Sequence, residues 1–244
     1  QLSGGSRAVE LGLISLKGTK SLANILFILG LATAAGSLYM SFLNTGSTSN
    51  AYYSAIIALI GVLVGYFYTA KPIRLSSRYG LGELSIFLSF GPLLTLGTGF
   101  AIANETILLY SNEFYNLLIL GVPIGLLTTN ILFINQYPDQ ASDKISGKNH
   151  LVVLLGKKAS RWIYALNLVL ALGSLYFIAE NVLVGTKQML FLYVLIPITM
   201  FYSYFLLSGL FKYYNSRKLI KYNIHTIYFH MLFSFIYMII LANF

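Results

Sequence analysis

The amino-acid sequence predicts an all-α protein, a polytopic transmembrane helix bundle in which residues 1–244 form a single domain. Hydrophobic residues make up 57% of the chain and charged residues only 9%, whereas about a quarter of the residues in a soluble domain are charged. Apolar runs of roughly 20 residues recur along the chain, and each can cross a hydrocarbon layer about 30 Å thick as a helix. The alternating pattern of a membrane β-barrel is absent, and a helix pairs its backbone polar groups within one segment.

Seven spans are predicted, at residues 21–43, 50–69, 83–104, 116–136, 161–180, 188–211 and 223–243. Two of them carry glycines four residues apart, Gly61 with Gly65 and Gly121 with Gly125. Small residues at this spacing let membrane helices approach closely. We therefore expect these pairs to serve packing rather than chemistry.

The basic residues predict how the bundle is oriented. The segment before the first span and the loops after the second, fourth and sixth spans carry 15 of the 16 Lys and Arg residues, and the other side carries only Lys187. Basic loops face the cytoplasm, so the C-terminus is expected outside. The net charge of +9 lies in short loops rather than on a solvated basic face, which argues against nucleic acid as a partner and for the lipid bilayer.

Asn135, Asp139 and Asp143 stand four residues apart at the cytoplasmic end of the 116–136 span. If the helix continues through Pro138, this spacing places all three on one helix face. The chain has no cysteine, and two carboxylates with an amide oxygen suit Mg²⁺, which is commonly shared with substrate phosphates. The spacing alone leaves open a plainer interpretation, in which these are polar helix-end residues solvated at the membrane boundary.

Basic side chains on the same side of the membrane could bind a phosphorylated leaving group. Tyr68, at the end of the second span, lies beside one of them. The bias of basic residues toward cytoplasmic loops would place cations there without any substrate, and this alternative stays open. The candidate cations are Arg7, Lys71, Arg74, Lys144 and Lys148.

Four stretches of the chain resemble the UbiA superfamily of intramembrane prenyltransferases, and they resemble most its members that prenylate dihydroxynaphthoate in menaquinone biosynthesis. The resemblance covers nearly the whole chain. The family's Y-x-x-x-K pattern is one residue shorter here. The stretches are GGSR at 4–7 with GLIS at 12–15, YTAKP at 68–72, GLGE at 80–83 with FGP at 90–92, and NQYPDQASDKISGKNHLVVLLGKK from Asn135 onward.

This resemblance implies Asp139 and Asp143 as Mg²⁺ ligands supported by Asn135, with Arg7 near the diphosphate. It also implies a bundle of nine helices around a cavity open to lipid, with another aspartate-rich motif at the end of the second helix. That motif is not in this sequence, whose polar start at Gln1 reads like the middle of a loop. We therefore expect two further spans and an N-D-x-x-D-like run upstream, and an inactive protein without them.

The predicted activity is the Mg²⁺-dependent transfer of a prenyl group from a polyprenyl diphosphate to an aromatic acceptor resembling dihydroxynaphthoate. Hydroxybenzoate, haem or a glycerol phosphate lipid remain possible acceptors. A non-catalytic scaffold or a transporter is the other class, but the sequence shows neither the internal repeat nor the midplane charges typical of transporters. The predicted catalytic residues are Asp139, Asp143 and Tyr68, and the predicted diphosphate-binding residues are Arg7, Lys71, Lys144 and Lys148.

Overall fold

The computed structural model describes residues 8–9, 11–46 and 48–242, and within these ranges every long element is a helix. Seven helical segments are long and apolar enough to cross a membrane, which confirms the predicted transmembrane bundle. Arg7 lies outside the described residues. The helices are α1 (Leu16–Thr45), α2 (Thr48–Thr69), α3 (Leu81–Phe90), α4 (Pro92–Ile102), α5 (Asn112–Ile145), α6 (Leu151–Asn181), α7 (Gly185–Leu190), α8 (Ile196–Tyr213) and α9 (Leu219–Ala242).

Two of the predicted spans are interrupted helices. The third span consists of α3 and α4, which meet at Gly91 and Pro92. Pro92 is the first residue of α4, a position where proline is well tolerated. The sixth span joins α7 to α8 through a π-helical turn at Phe191–Leu195. Both interruptions lie inside apolar stretches, where hydropathy does not reveal them.

Helix α5 is the centre of the bundle and packs against α3, α4, α6 and α9. It begins at Ser111, whose hydroxyl accepts a hydrogen bond of 3.3 Å from the amide of Phe114, and it continues through Pro138 to Ile145. The continuation confirms the condition under which Asn135, Asp139 and Asp143 share one face. The large buried side chains Phe133 and Tyr137 of α5 belong to one core with Tyr164 and Leu168 of α6 and Phe233 of α9.

The loops that carry most basic residues lie together at one end of the bundle. The loop between α2 and α3 is tied to the loop between α5 and α6, because the amide of Tyr79 donates to the carbonyl of Asn149 at 2.8 Å and the amide of Asn149 donates to Ser77 at 3.2 Å. At the opposite end, the side chain of Asn50 donates to the carbonyl of Glu105 at 2.9 Å. We call the first of these the basic end.

Candidate functional site

A cavity of about 360 Å³ opens at the basic end between α2, the loop after α2, and the end of α5. We call it the carboxylate cavity. It brings together five residues predicted for the site, namely Tyr68, Asn135, Asp139, Asp143 and Lys148. The remaining lining residues are Thr69, Arg74, Ser76, Leu132, Gln136 and His150.

Asp143 is held by two neighbouring side chains. The ammonium of Lys148 donates to Oδ1 of Asp143 at 2.7 Å, and Nε2 of His150 lies 3.1 Å from Oδ2. Nδ1 of His150 accepts from the amide of Val153 at 3.4 Å, so the proton belongs on Nε2, which donates to the carboxylate. His150 caps the start of α6 and is itself buried. The orientation of Asp143 is therefore fixed by the α5–α6 loop and the first turn of α6.

Asp139 differs from Asp143 in having no side-chain partner within the described part of the chain. Among the residues that the structure describes, its carboxylate forms no ion pair and no side-chain hydrogen bond. One turn earlier, Oδ1 of Asn135 accepts a hydrogen bond from the side-chain amide nitrogen, Nδ2, of Asn223 in α9 at 2.7 Å. Asp139 is half-buried, so its oxygens remain open to a ligand at the cavity wall.

Glu83 is a buried carboxylate behind the cavity. It lies in the first turn of α3 and is only 4% exposed. Its Oε1 accepts from Nε2 of Gln136 and from the amide of Leu151, each at 3.1 Å. Gln136 follows Asn135 in α5, and Leu151 follows His150, so Glu83 joins α3 to both segments that carry the carboxylates. The sequence offered one signal, an acidic residue at the start of a predicted span.

Two predicted cations lie away from this cavity. Lys71 and Lys144 are exposed and do not line it, whereas Arg74, from the same loop as Lys71, does. Their roles, like those of the other predicted site residues, stay predictions.

A second cavity of about 510 Å³ lies on the other side of Asn135 and Asp139, between α5, α6 and α9. We call it the α9 cavity. The two cavities share those two residues as a common wall. Neither Lys157 nor Arg217, which line the α9 cavity, was singled out from the sequence.

The oxygen donors fit Mg²⁺ shared with a substrate better than a metal enclosed by protein. Within the described part of the chain, no group of three or more His, Cys, Asp or Glu side chains could hold a metal ion. Two carboxylates with an amide oxygen are donors of the type that Mg²⁺ uses, since the ion keeps several waters and usually completes its shell with substrate phosphates.

The fold and site together define an integral membrane helix bundle with a carboxylate-bearing cavity at its basic end. The chain belongs to the UbiA prenyltransferase family, whose model matches residues 6–237. It is a multi-pass membrane protein. No solved structure matches the chain at a significant level.

Several curated relatives act on naphthoate-type compounds by name. The chain is 35% identical over 125 residues to the 2-carboxy-1,4-naphthoquinone phytyltransferase of Synechocystis sp., a match that covers 50% of this chain and 37% of the relative. It is 28% identical over 123 residues to the 1,4-dihydroxy-2-naphthoate octaprenyltransferase of Bacillus subtilis, again covering 50% of this chain and 37% of the relative. The Escherichia coli 1,4-dihydroxy-2-naphthoate octaprenyltransferase is 36% identical over 100 residues, 41% of this chain and 29% of the relative. The matched segments thus span 29 to 37% of the length of these relatives.

Proposed function

We propose that this protein is a prenyltransferase that moves a prenyl group from a polyprenyl diphosphate to an aromatic acceptor of the dihydroxynaphthoate type, with Mg²⁺ as cofactor. The observation that carries the proposal is the carboxylate cavity, where Asp139 and Asp143 of α5 face the cations Arg74 and Lys148. The names of the relatives support the reaction type and the acceptor class.

Different residues of the carboxylate cavity have different roles in the departure of the diphosphate. Asp139 and Asp143, with Asn135, would hold Mg²⁺, which when bound neutralises charge on the diphosphate. Arg74 and Lys148 are placed to donate charge-assisted hydrogen bonds to the diphosphate oxygens, and the Tyr68 hydroxyl can donate a further one. As the allylic C–O bond breaks, its electron pair leaves with the diphosphate, and these donors stabilise the developing charge.

The acceptor ring supplies the electron pair for the new bond to the allylic carbon, and it regains aromaticity when the attacked ring carbon loses its proton, which the departed diphosphate can accept. The apolar side chains of the spanning helices would hold the isoprenoid tail and exclude water, which would otherwise capture the electrophile. We place this chemistry at the cytoplasmic face, because 15 of the 16 basic residues belong to the segments at that end. The C-terminus then lies outside.

The experiment is transfer of a radiolabelled prenyl diphosphate to 1,4-dihydroxy-2-naphthoate by membranes that contain the full-length protein. Asp139→Asn and Asp143→Asn should each lower transfer by about 100-fold or more, because each removes a ligand for charge neutralisation at the diphosphate. Glu113→Gln is the matched control, since Glu113 is an exposed acid in the first turn of the same helix, at the opposite end. Near-normal transfer by both Asp variants would refute the site.

A further inference from the structure

The α9 cavity meets the carboxylate cavity at the residues proposed to hold the reacting diphosphate. Asn135 and Asp139 line both cavities, and Asn223 of α9 fixes Asn135 through the 2.7 Å hydrogen bond described above. A molecule in the α9 cavity would therefore lie directly across this wall from a diphosphate held beside Asp143.

Two cations of the α9 cavity lack, in the part of the chain that the structure describes, the aromatic partners that most of the nearby basic residues have. Lys157 and Arg217 line it, and within the described residues neither has a carboxylate within ion-pair distance or a cation–π partner. Four nearby basic residues instead lie against aromatic rings, at 4.6 to 6.0 Å from the ring centroids, whereas Lys158 is exposed; the four are Arg161, Lys212, Lys218 and Lys221.

Local backbone geometry puts Lys157 at this position. Gly156 has φ of 78° and ψ of 158°, which interrupts α6. The longer part of this helix therefore begins at Lys157. A positive φ of this kind strains any residue with a side chain. Arg217 comes from the connection between α8 and α9, which forms the opposite rim.

The remainder of the cavity wall is part apolar and part polar, with Ser142, Asn215, Ser216 and Asn223 among its polar residues. Its wall includes the apolar side chains of Ile134, Leu219 and Ile224 together with Tyr137. A volume of about 510 Å³ falls within the range usual for small-molecule sites. Two cations without an ion-pair partner among the described residues, beside a partly apolar wall, favour a ligand that carries an anionic group on a hydrophobic ring.

We propose that Lys157 and Arg217 bind the carboxylate of the aromatic acceptor, with its ring in the α9 cavity against Asn135 and Asp139. This inference rests on the proposed function. A diphosphate fits the other cavity better, because Asp143 and Lys148 line only that one. Lys157 and Arg217 thereby determine acceptor specificity, by favouring aromatic acceptors that carry a carboxylate.

The test compares binding of 1-hydroxy-2-naphthoate with binding of 1-naphthol, which lacks the carboxylate, to the full-length protein in detergent. Intrinsic naphthyl fluorescence reports binding, and no prenyl donor is present. We expect Lys157→Gln and Arg217→Gln each to weaken 1-hydroxy-2-naphthoate binding by about tenfold, the loss usual for a hydrogen bond to a charged group, and to leave 1-naphthol binding unchanged. Arg217→Lys should restore most of the preference.

Lys158→Gln and Lys218→Gln are the controls, because these exposed lysines adjoin the two residues and do not line the cavity; both should keep the wild-type preference. In turnover assays, the Lys157 and Arg217 variants should raise KM for the acceptor and leave KM for the prenyl diphosphate unchanged. An unaltered preference in both variants, or a rise in KM for the prenyl diphosphate alone, overturns the assignment. Because the binding assay needs no turnover, loss of preference would support the carboxylate site even if prenyl transfer were not observed.

Discussion

Helices α2 and α5 carry the same pattern, two glycines four residues apart, but within the described residues only the pair on α5 lies against another helix. A Cβ atom added at Gly125 would lie 2.5 Å from the carbonyl oxygen of Phe87, and one added at Gly121 would lie 2.5 Å from the backbone of Gly91. At Gly61 and Gly65 an added Cβ meets nothing within 4 Å. The pattern permits close helix contact, and the presence of a neighbouring helix decides whether the contact exists.

The two halves of the bundle also differ in burial, although polar side chains join helices in both, as where the Tyr237 hydroxyl of α9 donates to the carbonyl of Leu120 in α5 at 2.8 Å. Around α5, backbones touch through glycine, and half of the residues in its most apolar stretch are buried, against 6% for α1 and for α2. The outer helices are attached by polar side chains. Ser41 of α1 donates to the carbonyl of Phe100 at 3.0 Å, and Ser54 of α2 donates to that of Gly97 at 3.1 Å. Both devices work in lipid, where the hydrophobic effect between helices is absent.

The largest effect is expected where backbones touch. Gly125→Leu should unfold the α3–α5 contact, because the new side chain overlaps backbone atoms that cannot move aside, and we expect a loss of about 3 kcal/mol or more. The measurement is thermal unfolding of the detergent-purified protein. The same change at Gly65, in open space on α2, should cost less than about 0.5 kcal/mol. Equal destabilisation by both substitutions would contradict the distinction between the halves.

The next effect concerns the buried carboxylate that joins the inner helices. Glu83→Ala leaves the amide of Leu151 and the side chain of Gln136 without their acceptor, which should cost about 2 kcal/mol. Glu83→Gln keeps an acceptor oxygen and should cost less. Because Glu83 supports the segments that carry Asp139 and Asp143, we also expect both variants to need more Mg²⁺ for half-maximal transfer.

Glu105→Gln provides the comparison for Glu83. Glu105 is exposed at the opposite end of the bundle, so its replacement should change neither thermal stability nor the Mg²⁺ requirement. A Glu83→Ala protein that unfolds at the wild-type temperature would show that the two hydrogen bonds are not needed.

Hydropathy was sufficient to predict the number and order of the spans, because the bilayer imposes a minimum apolar length. Hydropathy underestimated the length of two helices. The 116–136 span belongs to a helix that continues to Ile145, and the 161–180 span belongs to one that begins at Leu151. In α5 the additional turns are mostly polar and lie toward the basic end, so an apolar window ends before the helix does. In α6 the additional turns begin with the apolar run LVVLL, but Gly156, Lys157 and Lys158 separate that run from the predicted span.

Residues that share one helix were the easiest part of the site to predict, although Tyr68 and Lys148, predicted from other segments, line the same cavity. The spacing of four in α5 predicted that Asn135, Asp139 and Asp143 would share a face, and all three line the carboxylate cavity. Lys157 belongs to α6 and Arg217 to the connection between α8 and α9, and only tertiary packing brings them to one cavity. Proximity in sequence was a poor guide for Lys144, which adjoins Asp143 but is exposed outside the cavity wall.

The smallest effect is expected at the hydrogen bonds that attach the outer helices. Ser54→Ala removes the bond from α2 to the carbonyl of Gly97 and should cost about 0.6 kcal/mol, the average for interhelical hydrogen bonds in membranes. Ser37→Ala is the control, because the Ser37 hydroxyl bonds only within its own helix, to the carbonyl of Thr33 at 3.1 Å. Unfolding of the two purified variants should differ by that amount, with prenyl transfer unchanged in both. If Ser54→Ala lowered the free energy of unfolding as much as Gly125→Leu does, α2 would be as much a part of the packed core as α5. A single hydrogen bond could have so large an effect only through a cooperative contact that both helices share.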